Sequence, residues 1–107
     1  MAKPGAWIIP PKRLKISAPA WDVIPDQVNV VLQPIAPLDL SIFLNAGTPP
    51  FVFEDIGAQI PSGLVLDVNT GIVTGSPAFI NAAVLVSIRA TNLAGSAIGS
   101  FTWEITL

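Results

Sequence analysis

Two segments near the C-terminus alternate with a period of two residues, and this restricts the fold more than any other feature of the chain. Val84, Val86, Ile88 and Ala90 fall on one side of an extended backbone, with Leu85, Ser87, Arg89 and Thr91 on the other. After the turn residues Asn92-Leu93-Ala94-Gly95-Ser96, a second alternation sets Phe101, Trp103, Ile105 and Leu107 opposite Thr102, Glu104 and Thr106. Side chains of a strand point alternately to the two faces of a sheet, so each segment reads as a strand with one apolar face.

The rest of the chain from Asp26 onward follows the same rule. Val28, Val30 and Leu32 alternate with Gln27, Asn29 and Val31, and Leu38-Asp39-Leu40-Ser41-Ile42 alternates again. Asn45 to Pro50 is a turn, followed by a strand at Phe51-Val52-Phe53. In the stretch PSGLVLDVNTGIVTGSP, residues 61–77, Leu64-Val65-Leu66 and Ile72-Val73-Thr74 are short strands separated by Asp67-Val68-Asn69-Thr70-Gly71, a run that reverses the chain. About seven short strands, with no segment of helical period, predict an all-β fold: an antiparallel β-sandwich.

Prolines 4, 10, 11, 19 and 25 set the N-terminus apart. Proline fixes φ and removes a donor, so residues 1–23 are expected to be an extended arm before a sandwich over 24–107. The arm is also basic. Lys3, Lys12, Arg13 and Lys15 give the first fifteen residues a charge of +4, while the other 92 hold only Arg89 against seven acids, leaving −6. With Trp7, Ile8, Ile9, Leu14, Ile16 and Trp21 it is too apolar for a solvated tail. A strand over Arg13–Ser17 could lie on its own sheet or on a neighbour's. Overall 51% of residues are hydrophobic and 11% charged, against roughly 25% charged in typical soluble domains. Apolar surface beyond what a small core can hold points to burial against other chains.

Four motifs, in order, carry a resemblance. They are Ile24-Pro25-Asp26-Gln27; Leu38-Asp39-Leu40-Ser41; Pro61, Gly63 and Leu64 followed by Asp67, Thr70 and Gly71 and then Gly75, Ser76 and Pro77; and Ala90-Thr91-Asn92 with Gly95. From about residue 24 to the end the chain resembles the putative-Ig family, the dystroglycan- and cadherin-like immunoglobulin-fold modules of bacterial and phage proteins. The resemblance implies an immunoglobulin-like sandwich. Within it Gly63, Asp67, Asn69, Gly71, Gly75 and Pro77 are structural turn residues: glycines for positive φ or close approach, and Asp67 as an Asx cap on the turn amides.

Little chemistry is expected. There is no Cys, His or Tyr, which removes thiolate chemistry, the commonest general base and the commonest transition-metal ligand. Calcium, used by cadherin-like relatives, needs six to eight oxygens. Here Asn92 stands where the family carries Asp, and the 45–48 loop has no acid, so neither a metal nor any other cofactor is expected. Glu54 and Asp55 are adjacent on a strand and face opposite ways, which gives no catalytic pair. The basic arm could touch nucleic acid, but no basic stripe continues into the acidic body, and an acidic protein surface is the better partner. No stretch approaches the ~18 apolar residues of a membrane span, and prolines interrupt any export signal.

These readings lead to a non-enzymatic virion structural protein, made as a complete chain in a host cytoplasm. It is expected to be a bacteriophage capsid decoration (cement) protein that grips the major capsid protein through Lys3, Trp7, Ile8, Ile9, Lys12, Arg13, Leu14, Lys15 and Trp21. Lattice-assembled or homo-oligomeric copies are expected. The alternatives are a tail or baseplate component and an Ig-like adhesion or glycan-binding module.

Overall fold

A computed structural model describes residues 15–107 of the 107-residue chain. Its strands are β1 (Ala20–Trp21), β2 (Gln27–Val30), β3 (Leu38–Asp39), β4 (Leu44–Ala46), β5 (Val52–Ile56), β6 (Leu64–Leu66), β7 (Ile72–Gly75), β8 (Asn81–Asn92) and β9 (Gly95–Thr106), with a 3-10 turn at Leu40–Phe43 between β3 and β4. One sheet has the order β2-β9-β8-β5, the facing sheet β3-β7-β6, and β1 pairs with β4. This is the expected immunoglobulin-like sandwich.

The core is the inward set of the two alternating segments. Val86, Ile88 and Ala90 of β8 and Phe101, Trp103 and Ile105 of β9 are buried with Phe53 of β5 in the same sheet, closed from the other side by Leu40 and Val73. The β8–β9 ladder runs antiparallel from Asn92↔Gly95 to Asn81↔Ile105, with an irregularity between Asn81 and Val84. Leu107, expected on the apolar face, lies past the end of β9 and is exposed.

Three expectations are corrected. The pairing is not wholly antiparallel, because β2 runs parallel to β9, Gln27↔Trp103 through Val30↔Thr106. These strands sit at opposite ends of the sandwich sequence, so no hairpin constrains their direction. The strand anticipated over Leu38–Ile42 ends after two residues. Asp39 accepts from the backbone N–H of Ser41 at 3.0 Å and from its hydroxyl at 2.6 Å. That is an N-cap, and it winds Leu40–Phe43 into a helical turn which drops Leu40 fully into the core. Finally, Val28 and Val30 of β2 point outward, and Gln27 and Asn29 take the inner side.

The inversion of β2 has a chemical cause. Trp103 has no solvent exposure, yet its indole N–H needs an acceptor, and Asn29 Oδ1 supplies one at 2.8 Å. An unmet buried donor costs about 1–3 kcal/mol, whereas an exposed valine on an edge strand costs little. Asn29→Ala should therefore lower unfolding free energy in urea by about 1–3 kcal/mol, and Val28→Thr by less than about 0.5 kcal/mol.

Candidate interaction surface

The N-terminal entry to the sandwich is anchored by side-chain amides and one aromatic ring. Ser17 and Thr48 bond to each other twice: Ser17 N–H donates to Thr48 Oγ1 at 3.0 Å, and Thr48 N–H to the Ser17 carbonyl at 3.1 Å. Asn92 Nδ2 donates to the carbonyls of Ser17 and Thr48 at 2.7 and 2.9 Å, while its Oδ1 accepts from the amides of Ala94 and Gly95 in the β8–β9 turn. A carboxylate could do the second task but not the first. Sequence reasoning placed Asn92 in the turn and read it as a lost calcium ligand; the structure adds that it is the junction between the entering chain and the last hairpin.

Trp21 belongs to this body rather than to an arm. β1 pairs with β4, the Trp21 indole N–H donates to the Ala97 carbonyl at 3.0 Å, and the half-buried ring lies 6.3 Å from that of Phe53. Gly99 makes room for it, since a Cβ there would stand 2.8 Å from Trp21 Cγ. The folded unit therefore begins before residue 24, at about Ser17. Lys15 is exposed, and the span 15–17 forms no strand. The other expected anchors, Lys3, Trp7, Ile8, Ile9, Lys12, Arg13 and Leu14, lie outside the described residues.

The 61–77 hairpin is scaffold in this geometry. Asp67 Oδ1 accepts from the amides of Asn69 and Thr70 at 2.9 and 3.2 Å, and Gly71 sits at φ +77°. Asn69 contributes its backbone, and the motif residue Thr70 contributes a side chain, its hydroxyl accepting from Ile72 N–H at 3.3 Å. Gly63, at φ +94°, passes so close to the 76–78 backbone that a Cβ would collide with the Ser76 carbonyl oxygen. Gly75 closes the pair with β6 opposite Leu64, and Pro77 is buried beneath. The acids have comparable local duties. Asp55 caps the amides of Gln59 and Ile60, Asp26 accepts from Thr102 N–H, and Glu54 pairs with Arg89 at 3.1 Å. Among the described residues no cluster of three potential metal ligands and no cavity is present.

What the body does offer is an uncovered sheet face on which exposed apolar residues alternate with polar ones. The outward row of β2-β9-β8-β5 carries Val28 and Val30, then Ile98, then Leu85, then Val52, all exposed, with Val28 at 63% and Leu85 at 58%. Between them lie Ser87 and Ser100, whose hydroxyls meet at 2.8 Å, and Thr91, Ser96 and Thr102. Glu54, Arg89 and Glu104 are its charged groups, the first two paired with each other. The outer side of the β3-β7-β6 sheet exposes Val65 as its large apolar residue. Exposed apolar side chains also gather where Leu32, at φ +64°, donates its N–H to the Pro77 carbonyl near Phe79 and Ile80.

An immunoglobulin-like sandwich with tied-down turns and an uncovered sheet face defines the class. More narrowly, the chain belongs to the putative Ig domain family, whose model matches residues 18–106, a span that includes β1 and Trp21. Among curated proteins none matches it. Similar solved structures include a putative α-galactosidase/melibiase of Bacteroides fragilis (TM-score 0.69, 22% identity, 81% of this chain and 17% of that one). Another is titin domain M7 (TM-score 0.56, 19% identity, 87% and 98%). A third is a SusE-like surface located polysaccharide-binding protein of Bacteroides thetaiotaomicron (TM-score 0.52, 23% identity, 86% and 15%). The glycosidase match thus spans 17% of its chain, the size of an accessory domain. At these identities the likeness is one of fold.

The Asn92 junction gives a direct test. Asn92→Asp removes two donors and sets a carboxylate against two carbonyls, and should cost about 2 kcal/mol of stability. Hydrogen exchange of the Ser17 and Thr48 amides should accelerate more than that of Val86 or Trp103. Equal acceleration everywhere would remove the local role.

Proposed function

We propose that this chain is a non-enzymatic attachment module whose N-terminal segment, residues 1–15, joins it to other polypeptides of a protein shell, as a bacteriophage capsid decoration protein does. The observation that carries this reading is the division of labour along the sequence. Lys3, Lys12, Arg13 and Lys15 and the block Trp7-Ile8-Ile9 precede a body in which Asp39, Asp55 and Asp67 cap turns and Asp26 holds a strand amide. A segment rich in apolar and basic groups gains by wrapping a large surface, and loses part of that gain to ordering. Repetition on a lattice offsets the loss through avidity.

Glycan binding is the second reading, prompted by the carbohydrate-related names of two structural neighbours. It is less well supported. Sugar sites commonly present aromatic faces, but Trp103 is fully buried and Trp21 is packed on Gly99, leaving Phe79, 69% exposed, as the exposed aromatic among the described residues.

The test is co-sedimentation with phage particles. Deletion must stop after Leu14, because Ser17, Ala18 and Trp21 hold the body together. The full chain should pellet with particles at hundreds of copies each, and the chain lacking residues 1–14 should stay in the supernatant with an unchanged far-UV spectrum. Undiminished pelleting of the truncated chain refutes the proposal, and specific retention on a glycan array favours the second reading.

A further inference from the structure

We propose that the N-terminal segment of one copy lies across the outer face of the β2-β9-β8-β5 sheet of a second copy, so that copies are linked into a chain or closed ring. This rests on the reading that residues 1–15 act in trans, and names their partner.

Charge and chemistry match. Residues 1–14 carry Lys3, Lys12 and Arg13 and no acid, whereas residues 15–107 hold two cations against seven acids, a net −5. The apolar block Trp7-Ile8-Ile9 is flanked by those cations. The sheet face offers exposed Val28, Val30, Leu85, Ile98 and Val52 to the apolar block and the carboxylate of Glu104 to a cation, while Glu54 is already paired with Arg89. Fourteen extended residues reach at most about 46 Å. The twelve-residue strands β8 and β9 are about 40 Å long at 3.3 Å per residue, so the segment can run the length of the face.

Proline chemistry selects a face over an edge. Adding a strand to β2, β5 or β6 requires a run of N–H donors, and Pro4, Pro10 and Pro11 remove three of them. Packing side chains onto the sheet face requires none. The facing sheet, with Val65 as its exposed large apolar residue, provides much less.

The lack of Gly, Asn and Asp just before Ser17, together with a proline pair that favours extended backbone, selects a second copy over the chain's own body. No Gly, Asn or Asp occurs between Gly5 and Asp22. Folding back would require a reversal just before Ser17, whose carbonyl is pinned by Thr48 and Asn92. The sequence there, Pro10-Pro11-Lys12-Arg13-Leu14-Lys15-Ile16, favours extended backbone. A segment leaving each body for the next makes a head-to-tail contact, which closes into a ring or continues as a lattice.

The experiment uses the full chain with Trp7→benzoylphenylalanine, mixed from equal light and ¹⁵N-labelled stocks and photolysed alone and on phage particles. Cross-links joining light to heavy copies, ending on peptides that contain Val28, Leu85 or Ile98, are the expected result. The pair Val28→Lys/Leu85→Lys should lower their yield at least tenfold while keeping the native spectrum, and Val65→Lys should not. Cross-links confined to one isotope place the segment on its own body and overturn both this inference and the proposed function. Cross-links from position 7 to a shell protein, with none between copies, overturn the inference alone. Absence of any cross-link to the sheet face also overturns it.

Discussion

The buried indole of Trp103 is the constraint around which the sandwich is organised. Its ring stacks beside Phe101 at 5.5 Å and lies in the centre of the inner face of β9. Burying so large a side chain drives the two sheets together, but its N–H cannot be left without an acceptor. Asn29 meets that need, which fixes the register and facing of β2, and with them the outward position of Val28 and Val30. One hydrogen bond inside the core thus decides the character of the surface outside it.

A second group of contacts decides where the domain starts. Trp21 fills the space left open by Gly99, donates to Ala97 and meets Phe53. Asn92 binds the entering backbone to the last hairpin through four hydrogen bonds. The basic, apolar segment that precedes Ser17 therefore starts from a fixed point at one end of the long strands.

Much of this was legible from residue order. The strands β8 and β9 and the hairpin around Asp67 could be placed because each depends on local rules: period-two alternation, an Asx cap, and glycine where φ is positive. The strand anticipated over Leu38–Ile42 failed because a carboxylate two residues from a serine forms a cap whose strength is invisible to hydrophobic alternation. Trp21 was taken for an external anchor because its partners, Phe53, Ala97 and Gly99, are 32 to 78 residues away. Asn92 was placed in its turn and read by what it replaced rather than by the two carbonyls its amide can reach.

The sequence by itself determined the class of fold, the existence of the hairpins, and the separation of a cationic leader from an acidic body. Those properties follow from short-range periodicity, turn chemistry and the count of charges. Only the tertiary structure decided which face of β2 is inward, where the folded unit begins, and that Val28, Val30, Leu85, Ile98 and Val52 share the outer face of the four-stranded sheet. Each of these depends on which distant group satisfies a buried N–H or fills the space beside a glycine, and such partnerships exist only once the two sheets have closed.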